Sequence, residues 1–328
     1  MDLTSIIQSN KHKMKSILIT GFAGFIGSHL TEKMLLSGNT IIGIDNFDSF
    51  YDRSIKEKNI SGFRDIKNFS LYELDLLDKE GLKRVFETNR IDLVVHLAAK
   101  TGVRPSLIDP AGYYDTNVIG TLNLLEAMKQ YGCKKMVFAS SSSVYGNNKK
   151  VPFSEDDNVD SPISPYAATK KAGELLCHTY CHLYGFSIFC LRFFTVYGPR
   201  QRPDLAIHRF AKLIMEGKSI PFYGDGNTAR DYTFISDIVD GIMGAINNLN
   251  GYDIFNLGES KTITLSKMVS VLENVLGKKA ILEKLPLQPG DVERTYADIS
   301  KAQRILNYSP SFSFESGIEE FIHWLKNN

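Results

Sequence analysis

The pair Tyr166 and Lys170, in the run S-P-I-S-P-Y-A-A-T-K-K-A, has the residue types and the spacing needed to move a proton. Two prolines end a loop before this run and good helix formers follow, so both side chains lie on one face of a predicted helix. Free tyrosine titrates at about 10, and a base near neutrality needs roughly 3 pKa units, or about 4 kcal/mol, of stabilisation. A neighbouring ammonium supplies part of it. The alternative is that the two residues merely share a helix face, so the surrounding elements must decide.

A glycine-rich turn between a strand and a helix is the first of those elements. The apolar run Lys15–Thr20 is typical of a buried strand, and G-F-A-G-F-I-G follows it directly. Glycines let the backbone turn tightly and approach a pyrophosphate, whose charge is held at the helix N-terminus. The next predicted strand, residues 40–44, ends in an acid that suits adenosine ribose hydroxyls and would repel a 2′-phosphate, which predicts NAD rather than NADP. The residues expected to contact the cofactor here are Gly21, Gly24, Phe25, Ile26, Gly27, Asp45 and Asn46.

The alternation of strand and helix continues, with strands predicted at residues 69–74, 91–97, 134–139 and 187–194. This pattern predicts an α/β protein with a Rossmann-type doubly wound parallel sheet and a smaller C-terminal α/β substrate domain. Asp75 could hold the adenine amino group or simply cap the next helix, and His96 is interpreted as a core histidine. A long helix is predicted from Pro110 to Tyr131. The other expected cofactor contacts are Asp75, Leu76, Leu97, Ala98, Ala99, Lys100, Asn117, Ser140 and Phe193.

Four consecutive serines, residues 140–143, follow the fifth predicted strand in the run A-S-S-S-S-V-Y-G. Ligands of open α/β sheets bind at the carboxyl ends of the strands, so hydroxyl groups at this place are candidates for substrate contact. The alternative is an ordinary serine-rich loop, which five preceding strand–helix units make the weaker interpretation.

Composition excludes several other classes of protein. Hydrophobic residues make up 43% and charged residues 23% of the 328-residue chain, and the formal net charge is +1 with no dense basic run. We therefore expect no nucleic-acid partner and no membrane partner. The four cysteines, Cys133, Cys177, Cys181 and Cys190, form no CxxC pair or disulfide framework. Cys177 and Cys181 could clip a metal, but free core thiols and no metal site are predicted, in a cytoplasmic protein.

The predicted division of the chain has three parts. Residues 1–14 are a tail. Residues 15–194 and 231–257 form the NAD-binding domain, and residues 195–230 and 258–328 form the nucleotide-sugar-binding domain.

As a set, the glycines, Asp45, the serines and Tyr166-x-x-x-Lys170 resemble extended short-chain dehydrogenase/reductases over nearly the whole chain from Lys15. Within that family, H-L-A-A-K-T-G-V-R-P-S, S-S-S-S-V-Y-G, Y-A-A-T-K-K-A, L-R-F-F-T-V-Y-G-P, R-D-Y-T-F and Q-P-G-D-V-E-R-T-Y-A-D are most similar to UDP-glucuronate 4-epimerases. Two positions depart from that pattern, because Lys100 stands where those enzymes often carry Gln and Ser143 where they carry Thr. Related dehydratases and the UDP-glucuronate decarboxylase place an acid in the loop that here reads Ser140–Val144, so the resemblance favours epimerisation over elimination.

The resemblance implies a homodimeric isomerase with tightly bound NAD. Tyr166 takes the proton of the sugar 4-hydroxyl as C4 gives up hydride, Lys170 contacts the nicotinamide ribose and lowers the tyrosine pKa, and Ser141 or Ser143 bonds the same oxygen. The 4-keto sugar then rotates and is reduced on its other face. The alternatives are a UDP-glucose or UDP-N-acetylglucosamine 4-epimerase, or a UDP-sugar dehydratase or decarboxylase. Arg202 could also be a plain surface charge. The implied substrate contacts are Arg104, Ser141, Ser142, Ser143, Thr195, Arg202, Tyr223, Arg230 and Asp291.

Overall fold

The computed structural model describes residues 14–286 and 292–328, so most of the predicted tail 1–14 and the predicted substrate contact Asp291 lie outside the described residues. The chain divides into two compact units. The first comprises the chain up to Ser140 together with Ser164–Leu191 and Ala245–Ile254. The second comprises Ser141–Ile163, Arg192–Gly244 and Phe255–Asn328.

A seven-stranded sheet dominates the first unit, and three of its strands run on into residues of the second. In chain order its strands are β1 (Ser16–Thr20), β2 (Thr40–Asp45), β3 (Phe69–Glu73), β4 (Leu93–His96), β5 (Lys135–Ser141), β6 (Ser187–Phe193) and, numbered by its place in the chain, β11 (Tyr252–Leu257). The strand order is β11-β6-β5-β4-β1-β2-β3. The β1–β2, β2–β3, β1–β4 and β4–β5 pairs are parallel, so their carboxyl ends meet at one edge.

Seven helices accompany this sheet: α1 (Phe25–Leu36), α2 (Arg53–Ile60), α3 (Lys79–Thr88), α4 (Val103–Ile108), α5 (Pro110–Tyr114), α6 (Gly120–Gln130) and α7 (Pro165–Tyr184). The core of this unit is a cluster of buried apolar residues from strands and helices that includes Leu18, Ile42, Val94, Leu124 and Ile188. Parallel strands covered by helices on both faces are apolar throughout, which explains why their runs in the sequence do not alternate.

The long helix predicted from Pro110 to Tyr131 is wrong in one respect, because it is not continuous. Between α5 and α6, residues Asp115–Ile119 form a π-helical turn, and Asn117 lies buried inside it. Such one-turn insertions are frequent at functional sites because they redirect a side chain without ending the helix. The short helix α4 was not predicted.

The second unit is built from short strands paired two by two and from helices. Its strands are β7 (Thr195–Tyr197), β8 (Ser219–Tyr223), β9 (Ala229–Arg230), β10 (Tyr232–Phe234), β12 (Ile263–Thr264) and β13 (Ile281–Leu285). Strand β10 pairs in parallel with β7, β13 in parallel with β8, and β12 antiparallel with β9. The helices are α8 (Ala206–Met215), α9 (Ile235–Asn248, which ends in the first unit), α10 (Leu265–Leu276), α11 (Ser300–Leu306) and α12 (Phe314–Lys326).

Asp231 organises the second unit. Its fully buried carboxyl group accepts hydrogen bonds from the backbone N–H groups of Glu259 (2.7 Å), Ser260 (3.1 Å) and Ala297 (3.0 Å). Its own backbone carbonyl accepts from the N–H of Thr195 at 3.0 Å. This residue also divides the strand predicted for 229–235 into β9 and β10, which pair with different partners.

The boundaries of the two units differ from the predicted division of the chain. Residues 141–163, 192–194, 231–244 and 255–257 were assigned to the NAD-binding domain but belong to the second compact unit. The reason is local packing, because Tyr232 pairs with Thr195 and because Gly241 of α9 lies against Leu257 and Tyr308. The predicted fold class is confirmed by the sheet. In the part of the chain that the structure describes, no helix is both long and apolar enough to cross a membrane.

Candidate active site

The helix that carries Tyr166 and Lys170 is fixed at both ends by its sequence. Ser164 caps α7 by accepting a hydrogen bond from the N–H of Ala167 at 3.1 Å, and Pro165 occupies the first helical position, where its missing N–H costs nothing. Gly185 ends the helix in the left-handed conformation with φ 65°. The predicted helix therefore begins where the two prolines indicated, and Tyr166 and Lys170 lie one turn apart in its first half.

Lys170 is buried with a defined partner. Its Nζ donates to the carbonyl oxygen of Ala139 at 2.8 Å and lies 5.3 Å from the ring centre of Phe138, both on β5. Burial lowers the pKa of Lys170 to about 8, against the opposing effects of Cys177 and Glu174. The Lys170 ammonium is therefore kept away from water at a fixed position, as the proton-transfer hypothesis requires.

The aromatic ring of Tyr166 packs edge-to-face on that of Tyr113 at a centroid distance of 6.2 Å. The Tyr113 hydroxyl donates to the carbonyl oxygen of Thr101 at 2.7 Å, which fixes the Tyr113 ring. Thr169 donates through Oγ1 to the backbone carbonyl of Tyr166 at 2.8 Å. Ring and backbone of Tyr166 are thus held from α5 and from its own helix.

Asn117 ties three segments of the first unit together. Its Oδ1 accepts from the N–H of Lys100 at 2.8 Å, and its Nδ2 donates to the carbonyl of Lys100 at 2.9 Å and to Thr169 Oγ1 at 3.0 Å. The buried amide therefore joins the loop after β4, the π turn and α7. An Asn within a helix has a structural role when its amide holds the backbone of another segment, and Asn117 holds the backbone of Lys100 in this way.

The glycine turn leaves room for no side chain at two positions. Gly21 has φ +72°, and a Cβ on it would lie 2.8 Å from the backbone nitrogen of Ala98. A Cβ on Gly27 would lie 2.1 Å from the carbonyl oxygen of Gly21. The turn, the start of α1 and the Leu97–Lys100 segment therefore pack at backbone distance. No side chain caps α1 at Gly24, so its first N–H groups face a cradle that fits a dinucleotide pyrophosphate.

Asp45, at the end of β2, is buried and partly engaged. Its Oδ1 accepts from the backbone N–H of Phe47 at 2.8 Å and forms an ion pair with Nζ of Lys56 at 2.9 Å. Lys56 is itself buried, and the sequence analysis did not single it out. No signal in the sequence separates it from Lys58, since both lie in one polar helical segment. Because both recorded bonds go to Oδ1, Oδ2 is the oxygen suited to a ribose hydroxyl.

Asp75 and Asn46 lie together at the same edge of the sheet. Asn46 Nδ2 donates to Asp75 Oδ2 at 2.7 Å, and the N–H of Leu77 donates to Asp75 Oδ1 at 2.8 Å. The alternative that Asp75 caps the next helix is wrong, because Asp78 caps α3 through the N–H of Gly81.

Lys100 and His96 belong to the same strand and loop but differ in character. Lys100 forms an ion pair with Asp109 at 2.8 Å, and that hydrogen bond raises the pKa of its ammonium. His96 bonds Thr20 Oγ1 through Nδ1 at 2.7 Å and Thr121 Oγ1 through Nε2 at 2.9 Å. Burial lowers the pKa of His96 to about 3. The interpretation of His96 as a satisfied core histidine is therefore confirmed.

In the second unit, the serines of the β5 end form a short turn. Ser141 Oγ accepts from the N–H of Ser143 at 3.1 Å and donates to Ser143 Oγ at 3.1 Å, which caps the 3₁₀ helix Ser142–Tyr145. The two hydroxyls proposed as alternatives for one oxygen are thus hydrogen-bonded to each other. Ser140, which lies in the first unit, instead donates to Glu174 at 2.6 Å.

The other predicted substrate contacts of the second unit are spread over four elements. Arg202 faces Asp204 in a fork, with Nε–Oδ1 and Nη2–Oδ2 distances of 3.0 and 2.7 Å, and only 17% of its side chain is exposed. A plain surface charge is therefore the weaker interpretation of Arg202. The predicted substrate contacts Thr195, Tyr223 and Arg230 lie at the ends of β7, β8 and β9, and the predicted cofactor contact Phe193 lies at the end of β6. Arg104 lies on α4 of the first unit.

In the described ranges 14–286 and 292–328, no three His, Cys, Asp or Glu side chains are grouped to hold an ion. All four cysteines are free thiols, and Cys133, Cys177 and Cys190 are buried. Fold and site together define a Rossmann-type α/β enzyme with a Tyr–Lys pair beside a dinucleotide cradle.

Comparison with known proteins agrees with this class. Residues 18–321 match the family described as GDP-mannose 4,6 dehydratase. The chain is 47% identical over 312 residues to a UDP-glucuronate 4-epimerase of Thermodesulfobacterium geofontis, covering 95% of this chain and 96% of that protein. It is similar to the crystal structure of UDP-glucuronic acid 4-epimerase from Bacillus cereus in complex with UDP-glucuronic acid and NAD, with 39% identity, a TM-score of 0.90 and coverage of 95% and 99% of the two chains.

A third relative widens the range of sugars. The structure of UDP-glucose 4-epimerase with UDP-glucose from Thermotoga maritima is 33% identical, with a TM-score of 0.87 and coverage of 95% and 99%. The chain therefore belongs to the GDP-mannose 4,6 dehydratase family of extended short-chain dehydrogenase/reductases, as its motifs predicted.

Proposed function

We propose that the protein is an NAD-dependent 4-epimerase of a UDP-sugar that interconverts UDP-glucuronate and UDP-galacturonate. The observation that carries epimerisation is that the loop Ser140–Val144 contains no acid, in a chain that also has a buried Lys170 one turn from Tyr166. Elimination of water needs a base for the carbon next to the ketone, and this loop supplies only hydroxyls. The dehydratase name of the family thus describes relatives whose chemistry this loop does not support.

The cradle fits NAD by its own structure. A Cβ on Gly21 or Gly27 would collide with neighbouring backbone, so only glycine fits the turn at these positions. The N-terminus of α1 presents its N–H groups to a pyrophosphate. Asp45 is proposed to take the adenosine ribose, with Asn117 and Lys100 shaping the nicotinamide side. Bound NAD supplies the hydride acceptor for the sugar C4 and the hydride donor for the return step.

The protein groups perform the proton transfer and the positioning. Tyr166 as phenolate takes the proton of the 4-hydroxyl, because the buried Lys170 ammonium favours its ionised form. Ser141 or Ser143 bonds the same oxygen, and the mutual hydrogen bond of these hydroxyls allows either to donate. After the 4-keto sugar has rotated to present its other face, the same tyrosine returns the proton to the oxygen at C4. The proposed diphosphate and ribose contacts, Arg230 and Asp291, must hold UDP while the hexose rotates.

The choice of sugar is supported by Arg202 and by the relatives. The planar fork of Arg202 binds the Asp204 carboxylate in this structure, and we propose that it exchanges this partner for the sugar carboxylate when substrate binds. A 4-keto glucuronate is a β-keto acid that loses CO2 readily, so a firm hold on its carboxylate protects the intermediate. The UDP-glucose epimerase relative supports a second candidate, in which the C5 group is a hydroxymethyl.

Incubation of the purified protein with UDP-glucuronate, without added NAD, tests the proposal. We expect UDP-galacturonate to form up to an equilibrium mixture, with no net change in absorbance from NADH, because oxidation and reduction balance. Separation of the products by anion-exchange chromatography and mass spectrometry identifies them. A UDP-pentose product, or turnover of UDP-glucose or UDP-N-acetylglucosamine alongside inertness to UDP-glucuronate, would contradict it in favour of a named alternative.

We also propose that the protein is a homodimer and acts in the cytoplasm. Free buried thiols suit a reducing compartment, which cell fractionation tests. The dimer rests on exposed apolar side chains: Leu175 and Leu183, two turns apart on α7, are 56% and 59% exposed, and Ile119 is 44% exposed. Helices α6 and α7 are joined by a hydrogen bond from the Tyr180 hydroxyl to Glu126, so this face is one rigid surface.

Replacement of Leu175 by glutamate is expected to convert the dimer into a monomer, because a charge would be buried at the contact without a partner. Light scattering coupled to size-exclusion chromatography measures the mass, which should fall by half. The matched control is Leu36→Glu, since Leu36 is 40% exposed at the end of α1 and lies on another helix. A monomeric wild-type protein, or an unchanged mass for Leu175→Glu, would refute this contact.

A further inference from the structure

The buried carboxyl group of Glu174 has no role in the mechanism above. Glu174 follows Lys170 by one turn of α7, and only 1% of the residue is exposed. Burying a carboxylate costs free energy unless hydrogen bonds and an opposite charge compensate for it. A glutamate at this depth, one turn from the proposed cation of the active site, is therefore expected to act on its neighbours.

Glu174 and Lys170 hold two successive residues of β5. The Ser140 hydroxyl donates to Glu174 Oε1 at 2.6 Å, and Lys170 Nζ donates to the Ala139 carbonyl at 2.8 Å. All four residues are buried, at 6% exposure or less. Two turns of one helix thus grip the end of one strand at consecutive positions. The next residue along the chain is Ser141, a proposed substrate contact.

The other titratable groups around Glu174 are two cysteines and a tyrosine. Cys177 lies one turn further along α7, Cys190 lies on β6, and the Tyr252 hydroxyl of β11 donates to the Glu174 carbonyl at 3.2 Å. Burial raises the pKa of Cys190 and of Tyr252, and the Glu174 charge adds to both effects. The Glu174 charge opposes the decrease that burial causes in the pKa of Lys170, and burial together with the Lys170 charge lowers the pKa of His96.

We propose, on the basis of the function above, that Glu174 is a positioning residue that keeps Lys170 a cation and holds the β5 end beside Tyr166. The hydrogen bond to Ser140 orients the carboxylate, and the carboxylate offsets the desolvation of the lysine. The strand end and the charge state of the site are set by one side chain. Glu174 does not touch the sugar or the nicotinamide in this scheme, so its effect passes through Lys170.

The charge effect has a definite sign. Burial lowers the pKa of Lys170 to about 8, and the Glu174 charge acts against that decrease. Without the charge, the pKa of Lys170 falls further, and the ammonium is lost at lower pH. The phenolate of Tyr166 then loses its stabilising cation. In a variant without the Glu174 charge, activity should therefore begin to decline at a lower pH on the alkaline side.

The Glu174→Gln variant tests this directly, because glutamine keeps the shape and the acceptor for Ser140 but removes the charge. We expect the alkaline limb of the kcat profile to move by about one pH unit to lower pH, which makes kcat about tenfold lower on that limb, with little loss near pH 6.5. The matched control is Tyr180→Phe, a buried side chain further along the same helix whose hydroxyl contacts Glu126, and its alkaline limb should coincide with that of the wild type. Coincident profiles for Glu174→Gln and the wild type would overturn the proposal.

Two further measurements separate this proposal from folding defects and from the assigned reaction. Glu174→Asp keeps the charge and shortens the reach to Ser140, so its kcat should fall while its alkaline limb stays in place; a shifted limb would contradict the charge role. The amount of NAD that the purified protein retains at several pH values needs no sugar, and its alkaline loss should also begin at lower pH in Glu174→Gln. If the wild type is inert to UDP-glucuronate but the loss of NAD shifts, only the assigned substrate fails; if the loss of NAD does not shift, this proposal fails.

Discussion

The Tyr166→Phe variant is expected to lose about 10³-fold in kcat for UDP-sugar epimerisation, because phenylalanine cannot take the proton of the 4-hydroxyl. Ring packing should survive, since the edge-to-face contact with Tyr113 involves the rings and the Thr169 bond involves the backbone carbonyl. We therefore expect a folded protein that still binds NAD and UDP-sugar. Product formation measured over hours, together with NAD content of the purified protein, checks both parts.

The matched control for this variant is Tyr180→Phe on the same helix. It removes the same hydroxyl, which there contacts Glu126 rather than the site, so its kcat should remain within about twofold of the wild type. Full activity of Tyr166→Phe would remove the tyrosine from the role of base. An inactive variant that has also lost NAD would point to a cofactor-binding role instead.

The Asp231→Ala variant is expected to lose about 3 kcal/mol or more of unfolding free energy, because three backbone N–H groups lose their buried acceptor at once. Those groups belong to the adjacent residues Glu259 and Ser260 and to Ala297, which lie far from Asp231 in the sequence but meet at its carboxylate. A loss of this size is a large part of the stability of an ordinary protein. Urea denaturation monitored by circular dichroism measures it.

The pH dependence provides a second measurement on Asp231. Burial raises the pKa of Asp231 to about 6, although the backbone hydrogen bonds act to lower it. A raised folded-state pKa means that the stabilising contribution is greatest at low pH and declines as the pH rises through 6. The difference between wild type and Asp231→Ala should therefore be larger at about pH 5 than at about pH 8. Asp240→Ala, an exposed acid on α9, serves as the control and should change stability little at either pH.

The elements that position the proposed base and cofactor were predictable because short-range rules specify them. The prolines before Tyr166 and the absence of later breakers fixed α7, and the G-x-x-G-x-x-G spacing fixed the turn after β1. Six of the seven sheet strands were predicted from apolar runs, because a parallel strand covered on both faces need not alternate with polar residues. Motifs of this kind carry their geometry with them.

Other features depend on partners remote in the chain, which no local pattern encodes. Lys56 is one of several lysines in a polar segment, and only the fold brings it to Asp45. Asp231 looks like an ordinary residue of an R-D-Y run, and its three backbone partners lie 28 to 66 residues away. The π turn is invisible because its residues are as helical in propensity as their neighbours. The boundaries of the two units were predicted differently for the same reason.

The double hydrogen bond from Asn117 to Lys100 separates backbone from side chain at position 100. One amide pairs with both the N–H and the C=O of that residue, much as a neighbouring strand would, so the course of the chain there does not depend on which side chain it bears. Position 100 can therefore carry the ammonium of Lys, as in this chain, or the neutral amide of Gln, as UDP-glucuronate 4-epimerases often do, while the adjoining loop keeps its course. The charge at position 100 can then change in evolution without a change in the backbone of this segment.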